Sequence, residues 1–243
     1  RHLEESDHNG QLALQKAEAA TLRAVAGVTS VAFTNQMPMS RSGSTNSVAV
    51  DRKQVNESAN ASFYFSPESL VKTWNLKIVE GRDFTPDEVI EIDASADRDS
   101  FPKSVIVTRA LAKKAWPNDA SPLGKTLFFG TGETANSATV VGVIERLQTQ
   151  SAQVDERGEY STIIPMRRVQ GYSMFAVRTE PGQRDRVMKE AEEALRKAAP
   201  RPVLLDAETV DDDRKDRYRA DEALSWMLIT VSVLLLLITA SGI

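Results

Sequence analysis

Not one of the 243 residues is a cysteine. That removes disulfide frameworks, zinc–thiolate sites, iron–sulfur clusters and thiol nucleophiles. It leaves the compartment open, because cytosolic and periplasmic proteins alike can lack cysteine. Histidine is nearly missing too: His2 and His8, both close to the start, are the only two. A histidine-based triad or metal site has too little to build with. Nor is there an excess of positive charge. Thirty Lys+Arg stand against 34 Asp+Glu, a net charge of −4, which speaks for no nucleic acid among the partners. What is present, 41% hydrophobic and 26% charged residues, excludes a disordered or multi-span chain.

The mean hydropathy of −0.32 describes a soluble protein, but the apolar residues are unevenly spread. The last charge is Glu222, and the 21 residues from Ala223 to Ile243 carry none. As a helix they span about 30 Å, one bilayer core. Their place at the end of the sequence excludes a removable signal peptide. The sequence opens on Arg1 rather than Met and so reads as a piece of a longer membrane protein. Asp211 to Glu222, just before the span, holds six acids and four bases. Cytoplasmic flanks carry a Lys/Arg excess, so residues 1–222 are expected outside the cytoplasm.

Periodicity predicts a helix over 11–26 with Leu14, Ala17, Thr21 and Val25 on one face, stopped at Gly27. Strands are predicted at 28–35, 47–50, 61–65 and 76–79. A short helix over 66–74 is expected to be capped by Ser66, with Pro67 at its first position. The acidic stretch 87–100 reads as a solvated loop. Strands at 104–107, 126–129, 138–144, 161–164, 174–177 and 203–205 follow, with helices at 109–116 and 183–199. In the second helix Val187, Ala191, Ala194, Leu195 and Ala198 share a face. From Ala207 a charged helix runs towards the span. This order is α+β, without the βα alternation of a doubly wound sheet.

Motifs that carry chemistry fail on inspection. Gly124-Lys125-Thr126 imitates the end of a phosphate-binding loop, but position 119 is Asp instead of Gly and Pro122 removes an N–H. Ser69–Lys72 and Ser100–Lys103 match the Ser-x-x-Lys pattern without the Ser-Asp-Asn and Lys-Thr-Gly partners it needs. Asp93, Asp97 and Asp99 imitate a calcium loop, with Arg98 where Gly belongs and Ser104 where Glu belongs. Asn56-Glu-Ser58 and Asn60-Ala-Ser62 are acceptor-type triplets of the kind polar stretches produce by chance. Trp74 and Trp116 read as core residues and Trp226 as a membrane-interface residue. No catalytic, cofactor-binding or metal site residue is assigned, and no cofactor.

Residues 25–36 (VAGVTSVAFTNQ), 65–84 (FSPESLVKTWNLKIVEGRDF) and 104–144 (SVIVTRALAKKAWPNDASPLGKTLFFG…ATVVGVI) resemble the extracytoplasmic domain of MacB/FtsX-type ABC transporter permeases. The shared features are a Gly-Val step into a strand, a Gly-Arg-x-Phe turn, a Val-Thr-x-x-x-Ala helix, a Pro-Leu-Gly-Lys turn and a Val-Val-Gly-Val strand. The match runs in order over about 20–243. Gly81 and Gly124 sit where turns call for positive φ, and Asp83 is placed to cap 84–88.

The resemblance implies a two-lobed ectodomain. A porter-like lobe would comprise 1–84 and 159–206, with a second lobe inserted over 85–158. A stalk helix would follow at 207–222 and a transmembrane helix at 223–243. It implies a non-catalytic permease part in the bacterial cytoplasmic (inner) membrane. That part would transmit ATP-driven motion to an extracytoplasmic substrate or partner, in efflux or in lipoprotein or peptide handling. The implied partners are an ABC ATPase subunit, a second permease in a homodimer or pair, membrane lipid and a periplasmic adaptor protein. The long acidic insert at 87–100 departs from the family pattern. The competing reading is a ligand-sensing ectodomain of a membrane receptor, which shares the α+β ectodomain and the span. A membrane-anchored hydrolase ranks third.

Overall fold

The structure, a computed structural model, describes residues 8–40, 43–54, 56–93, 100–151, 155–169, 172–198 and 207–241. The chain divides into two units, Arg1–Leu205 and Asp206–Ile243. In the first, helix α1 (His8–Arg23) leads into strands β1 (Val28–Phe33), β2 (Thr45–Ala49) and β3 (Ala59–Phe65). Helix α2 (Leu70–Thr73) precedes β4 (Ile78–Gly81), β5 (Ile90–Asp93) and β6 (Ser104–Thr108). Helix α3 (Arg109–Ala115) is followed by β7 (Thr126–Phe129), β8 (Asn136–Ile144), β9 (Ser161–Ile164), β10 (Met166–Val169), β11 (Phe175–Thr179) and helix α4 (Arg184–Ala198). Helix α5 (Val210–Ser241) forms the second unit.

Strand pairing in the first unit closes on itself. It runs β8–β6–β9–β3–β2–β7 and returns to β8, because β7 pairs with both β2 and β8. Closure removes the open edges that a six-stranded sheet would otherwise present. β8 has room for this because it is nine residues long. Its first half, Asn136–Thr139, takes β7 on one side, and its second half takes β4 on that same side. β6 runs along the other side.

The period of two in the ring strands separates two cores. Val48, Phe63, Val105, Leu127, Val140 and Ile164 come from all six ring strands and form one buried cluster. A cluster that touches every strand of a closed ring fills its interior. Phe129 meets Phe63 edge-on with ring centres 5.1 Å apart. The alternate residues Tyr64, Ile106, Ile144 and Ile163 point outward and pack with Leu70 and Val71 of α2 and Ala32 of β1. Outside the ring, β1 pairs antiparallel with β11, and β5 pairs parallel with β10. Helix α1 lies against β1, β10 and α4.

The mixed helix-and-strand character agrees with the sequence reading, and several elements differ in detail. Strands β6, β7 and β8 of the expected inserted segment 85–158 pair with one another and with β2, β4 and β9 from outside it. The acidic loop expected at 87–100 contains a 3₁₀ turn (Pro86–Glu88) and β5, whose Ile92 is buried against the core; burial of alternate residues outweighs the charge of their neighbours. The buried stripe of α1 is Gln15, Ala19 and Leu22, not the Leu14–Ala17–Thr21–Val25 face that periodicity favours. Ser69 caps α2, not Ser66, which instead accepts from Glu68 N. Asp83 accepts from Phe84 N and Ser69 Oγ, while Thr85 precedes the turn that Asp83 was expected to cap. β10 was not anticipated, and the strand expected at 203–205 lies outside the described residues.

Two joints show how local chemistry fixes this arrangement. At the first, Gly81 has φ +72 and faces Gly142 across β4 and β8. A Cβ on Gly81 would stand 2.2 Å from the Val141 carbonyl oxygen, and one on Gly142 2.3 Å from that of Arg82. Gly124, also at positive φ (+75), faces open space. At the second, the Glu88 carboxylate is only 15% exposed. It accepts from Arg82 Nη1 at 2.7 Å, from Thr85 N at 2.8 Å and from Ser104 Oγ on β6. The Arg82 bond, with help from Ser104 and Thr85, holds the carboxyl well below the usual range.

Two measurements check these joints. Gly81→Ala is expected to cost about 3 kcal/mol or more, because backbone must move as well as φ. Gly124→Ala is expected to cost only about 1 kcal/mol, for φ alone. Urea midpoints of the two variants give the comparison. For Glu88, an unfolded carboxyl titrates near ~4.3 and the folded one lower. Its bonds therefore stabilise fully above that value and are lost as pH falls towards the depressed one. Glu88→Gln is expected to lower the urea midpoint at pH 7, and the gap to wild type is expected to narrow below about pH 4.5.

Candidate functional site

The structure places Gly124, Lys125 and Ser69, from two of the chemistry-bearing motifs, in architectural roles. Gly124 N–H donates to the Val140 carbonyl at 2.9 Å, so it is committed to the sheet and cannot cradle phosphate. Lys125 pairs with Asp119, the residue standing where that motif would need glycine. Ser69 Oγ accepts from Lys72 N at 2.9 Å as the cap of α2 and donates to Asp83. Ser100 is exposed, and the Lys103 carbonyl accepts from Thr139 N at 2.7 Å. Asp93 ends β5, whereas Asp97 and Asp99 lie outside the described residues. His2 does too, and His8 opens α1. Ser62 of the second acceptor-type triplet is fully buried. Among the described residues no group of three or more His, Asp or Glu side chains could hold a metal ion. Trp74 stands edge-on to Tyr64 at 5.4 Å, and Trp116 packs half-buried against the ring interior.

Sequence reasoning missed a polar hub outside the ring. Glu68 Oε1 accepts from Arg23 Nη2 at 3.0 Å and from Arg167 Nη2 at 2.8 Å, and Oε2 accepts from Phe33 N at 2.9 Å. One carboxylate thereby ties α1, β1 and β10 together. Arg167 also lies over the Phe33 ring, 5.4 Å from its centre. Nearby, Asn35 clamps β1 to β3: its Nδ2 donates to the Phe63 carbonyl, and its Oδ1 accepts from Phe65 N. Tyr64 Oη donates to the Gln148 carbonyl at 2.6 Å, and burial pushes its phenol well up, so it stays neutral. The only sequence signal for the hub was a pair of arginines, Arg167 and Arg168, following a strand. A shallow groove at the start of α4 is lined by Thr29, Arg178, Glu180, Pro181, Arg184 and Asp185. None of these places sets a nucleophile beside a base.

The feature with the clearest functional chemistry is α5. Thr209 starts it, accepting from Asp212 N at 3.1 Å while donating to Asp212 Oδ2 at 2.6 Å. This reciprocal cap satisfies an otherwise orphaned N–H. Glu222–Ser241 is 20 residues long with mean hydropathy 2.3, and its window has no share buried. It is long and apolar enough to cross a membrane. Both of its threonines turn their hydroxyls onto the helix backbone: Thr230 Oγ1 donates to the Trp226 carbonyl at 2.8 Å and Thr239 Oγ1 to that of Leu235 at 2.9 Å. Hydrocarbon requires such internal pairing, since it offers no partner of its own. Trp226, near the charged end, is 66% exposed, as suits a ring at a membrane–water interface.

No curated protein matches the chain. Among solved structures, the extracellular domain of the noncanonic ABC-type transporter YknZ from Gram-positive bacteria is similar at 18% identity. That likeness covers 75% of this chain and 82% of that one, with a TM-score of 0.49. A domain of a permease protein from Porphyromonas gingivalis is similar at 15% identity over 79% and 84%, with a TM-score of 0.45. The MacB-like periplasmic core domain family matches residues 4–196, which is most of the chain. The chain therefore belongs to the MacB-like periplasmic core domain family, the periplasmic part of ABC-type transporter permeases.

Proposed function

We propose that residues 1–222 form the extracytoplasmic part of a permease in a bacterial cytoplasmic membrane and that 223–243 enter the bilayer. In this reading the domain does no bond chemistry of its own. It passes motion, driven by ATP hydrolysis on an ABC ATPase subunit, to a substrate or partner outside the membrane. The observation that carries it is the family match over 4–196 followed by an apolar helix over Glu222–Ser241, without a charge after Glu222. Support comes from Ser69, which caps a helix, and from Gly124, whose N–H is bonded into the sheet.

The finer assignments belong to the same proposal. Helix α5 joins a stalk, 207–222, to a membrane helix. Its mixed charge, without a Lys/Arg excess, favours the extracytoplasmic side for the stalk. Two lobes are proposed to meet along the outer face of the ring. One is the layer of α1, β1, β11 and α4, which contains both ends of the matched segment; the other is the ring itself. The permease works in a homodimer or pair, with lipid around α5 and an adaptor protein docking outside. Efflux, lipoprotein handling and peptide handling all fit this mechanical role.

Residues 1–243 hold no cysteine, so a thiol introduced among them is the only one they carry, and the parent protein serves as the labelling blank. Lys113→Cys, on the exposed side of α3, is expected to react with a membrane-impermeant maleimide in cells whose outer barrier is permeabilised and whose inner membrane is intact. Leu235→Cys, within the apolar helix, is expected to stay unlabelled until detergent is added. Protection of Lys113→Cys until the inner membrane is lysed would overturn the extracytoplasmic assignment.

A further inference from the structure

Helix α1 is docked in a way that leaves its seam half paired. Gln15, on its buried stripe, is 1% exposed, yet neither its Nε2 nor its Oε1 has a partner. Oε2 of Glu18, almost one turn further on, is also buried without one. On β10, against which α1 lies, the Arg167 side chain is 4% exposed and commits only Nη2, to Glu68. Its Nε and Nη1 donate to nothing. Donors on one element and acceptors on the other therefore both go unused. Buried polar groups without partners carry their full desolvation penalty, so this docked position is less favourable than a paired arrangement of the same groups would be.

Beside its packing on β1 and α4, charge holds α1 in place. Lys16 Nζ pairs with Glu91 at 2.9 Å and Arg23 Nη2 with Glu68 at 3.0 Å. Those two carboxylates flank Arg167, Glu68 through its hydrogen bond and Glu91 with an oxygen 3.7 Å from Nε. The result is a continuous line, Lys16–Glu91–Arg167–Glu68–Arg23, stitching the helix through Glu91 of β5 and Glu68, just before α2, to Arg167 of β10. The end cations are half exposed, and such pairs are weak and screened by salt. The apolar residues that α1 buries fully are only Ala19 and Leu22. Small apolar burial, screened ion pairs and unspent hydrogen bonds together describe an element that can leave its seat at low cost.

We propose that α1 is a two-position element. It is latched in the present position by the Lys16–Glu91–Arg167–Glu68–Arg23 line, and it is able to shift along β10 to a position in which Gln15, Glu18 and Arg167 are paired or hydrated. Glu68 is the pivot, because it also holds β1 through Phe33 N. A shift of α1 thus changes the partners of the carboxylate that anchors the β1–β11 layer. The inference concerns this domain alone and stands apart from the transport reading.

Hydrogen exchange of the whole chain in detergent micelles, without nucleotide or partner, tests the latch peptide by peptide. The amides of α1 are expected to open independently of β3, β6 and β8. Their protection is expected to fall about tenfold on going from low salt to about 1 M, where ion pairs are screened within a few ångströms. Gln15→Leu removes the two unpaired atoms at similar volume. It is expected to raise α1 protection about tenfold while leaving the ring unchanged. Glu68→Gln is expected to lower it. The proposal fails if α1 opens only together with the ring. It fails equally if salt and both substitutions leave α1 exchange at the wild-type rate, or if Gln15→Leu lowers protection of α1 and the ring in common.

Discussion

Strand β8 is the member on which the rest of the first unit depends. Within nine residues it hydrogen-bonds to β7, β6 and β4. Its ability to take β7 and β4 in succession on one side is what closes the strand ring. The changeover lies at Val140–Gly142. There Val140 accepts from Gly124 N, and the Val141 carbonyl accepts from Arg82 N at 3.0 Å. It is also where Gly81 and Gly142 meet too closely for any Cβ. A side chain at either position would push β4 off β8. With it would go the Arg82–Glu88–Ser104 joint that ties the following turn to β6. Closure in turn gives the ring an interior into which Phe63, Phe129 and Leu127 interdigitate, and it leaves Tyr64, Ile106 and Ile163 facing outward to carry α2 and β1.

Much of this was legible from local pattern. The strands at 126–129 and 161–164 and the helices beginning near 109 and 184 were anticipated closely, because alternation, β-branched residues and a Thr108 cap are local signals. So was the need for positive φ at Gly27, Gly81 and Gly124. What escaped was non-local. Ring closure depends on β7 reaching both β2 and β8, which no window of one strand reveals. The strand Ile90–Asp93 was hidden by its acidic neighbours and becomes a strand by pairing with β10, itself unanticipated. The α1 stripe was misjudged because it includes Gln15, a polar residue that periodicity places outward and the fold places inward. Glu68, taken as a helix-start residue, proved to be the meeting point of three elements.

The site chemistry was read mostly by elimination, and the geometry gives that elimination positive content. Ser69, Lys125, Gly124 and Asp83 each make a named bond within the fold. The chain joins a polar domain, stitched by carboxylate hubs and tight glycine joints, with a helix whose last part is apolar and whose two threonines there bond to its own backbone.

The central claim, that this domain receives motion generated by ATP hydrolysis, is tested most directly by hydrogen exchange over residues 8–205 in the permease assembled with its ATPase. The comparison is between the nucleotide-free complex and one trapped after hydrolysis. The account predicts altered protection in the domain, although nucleotide binds on another polypeptide or segment. Identical exchange across residues 8–205 in the two states would contradict it.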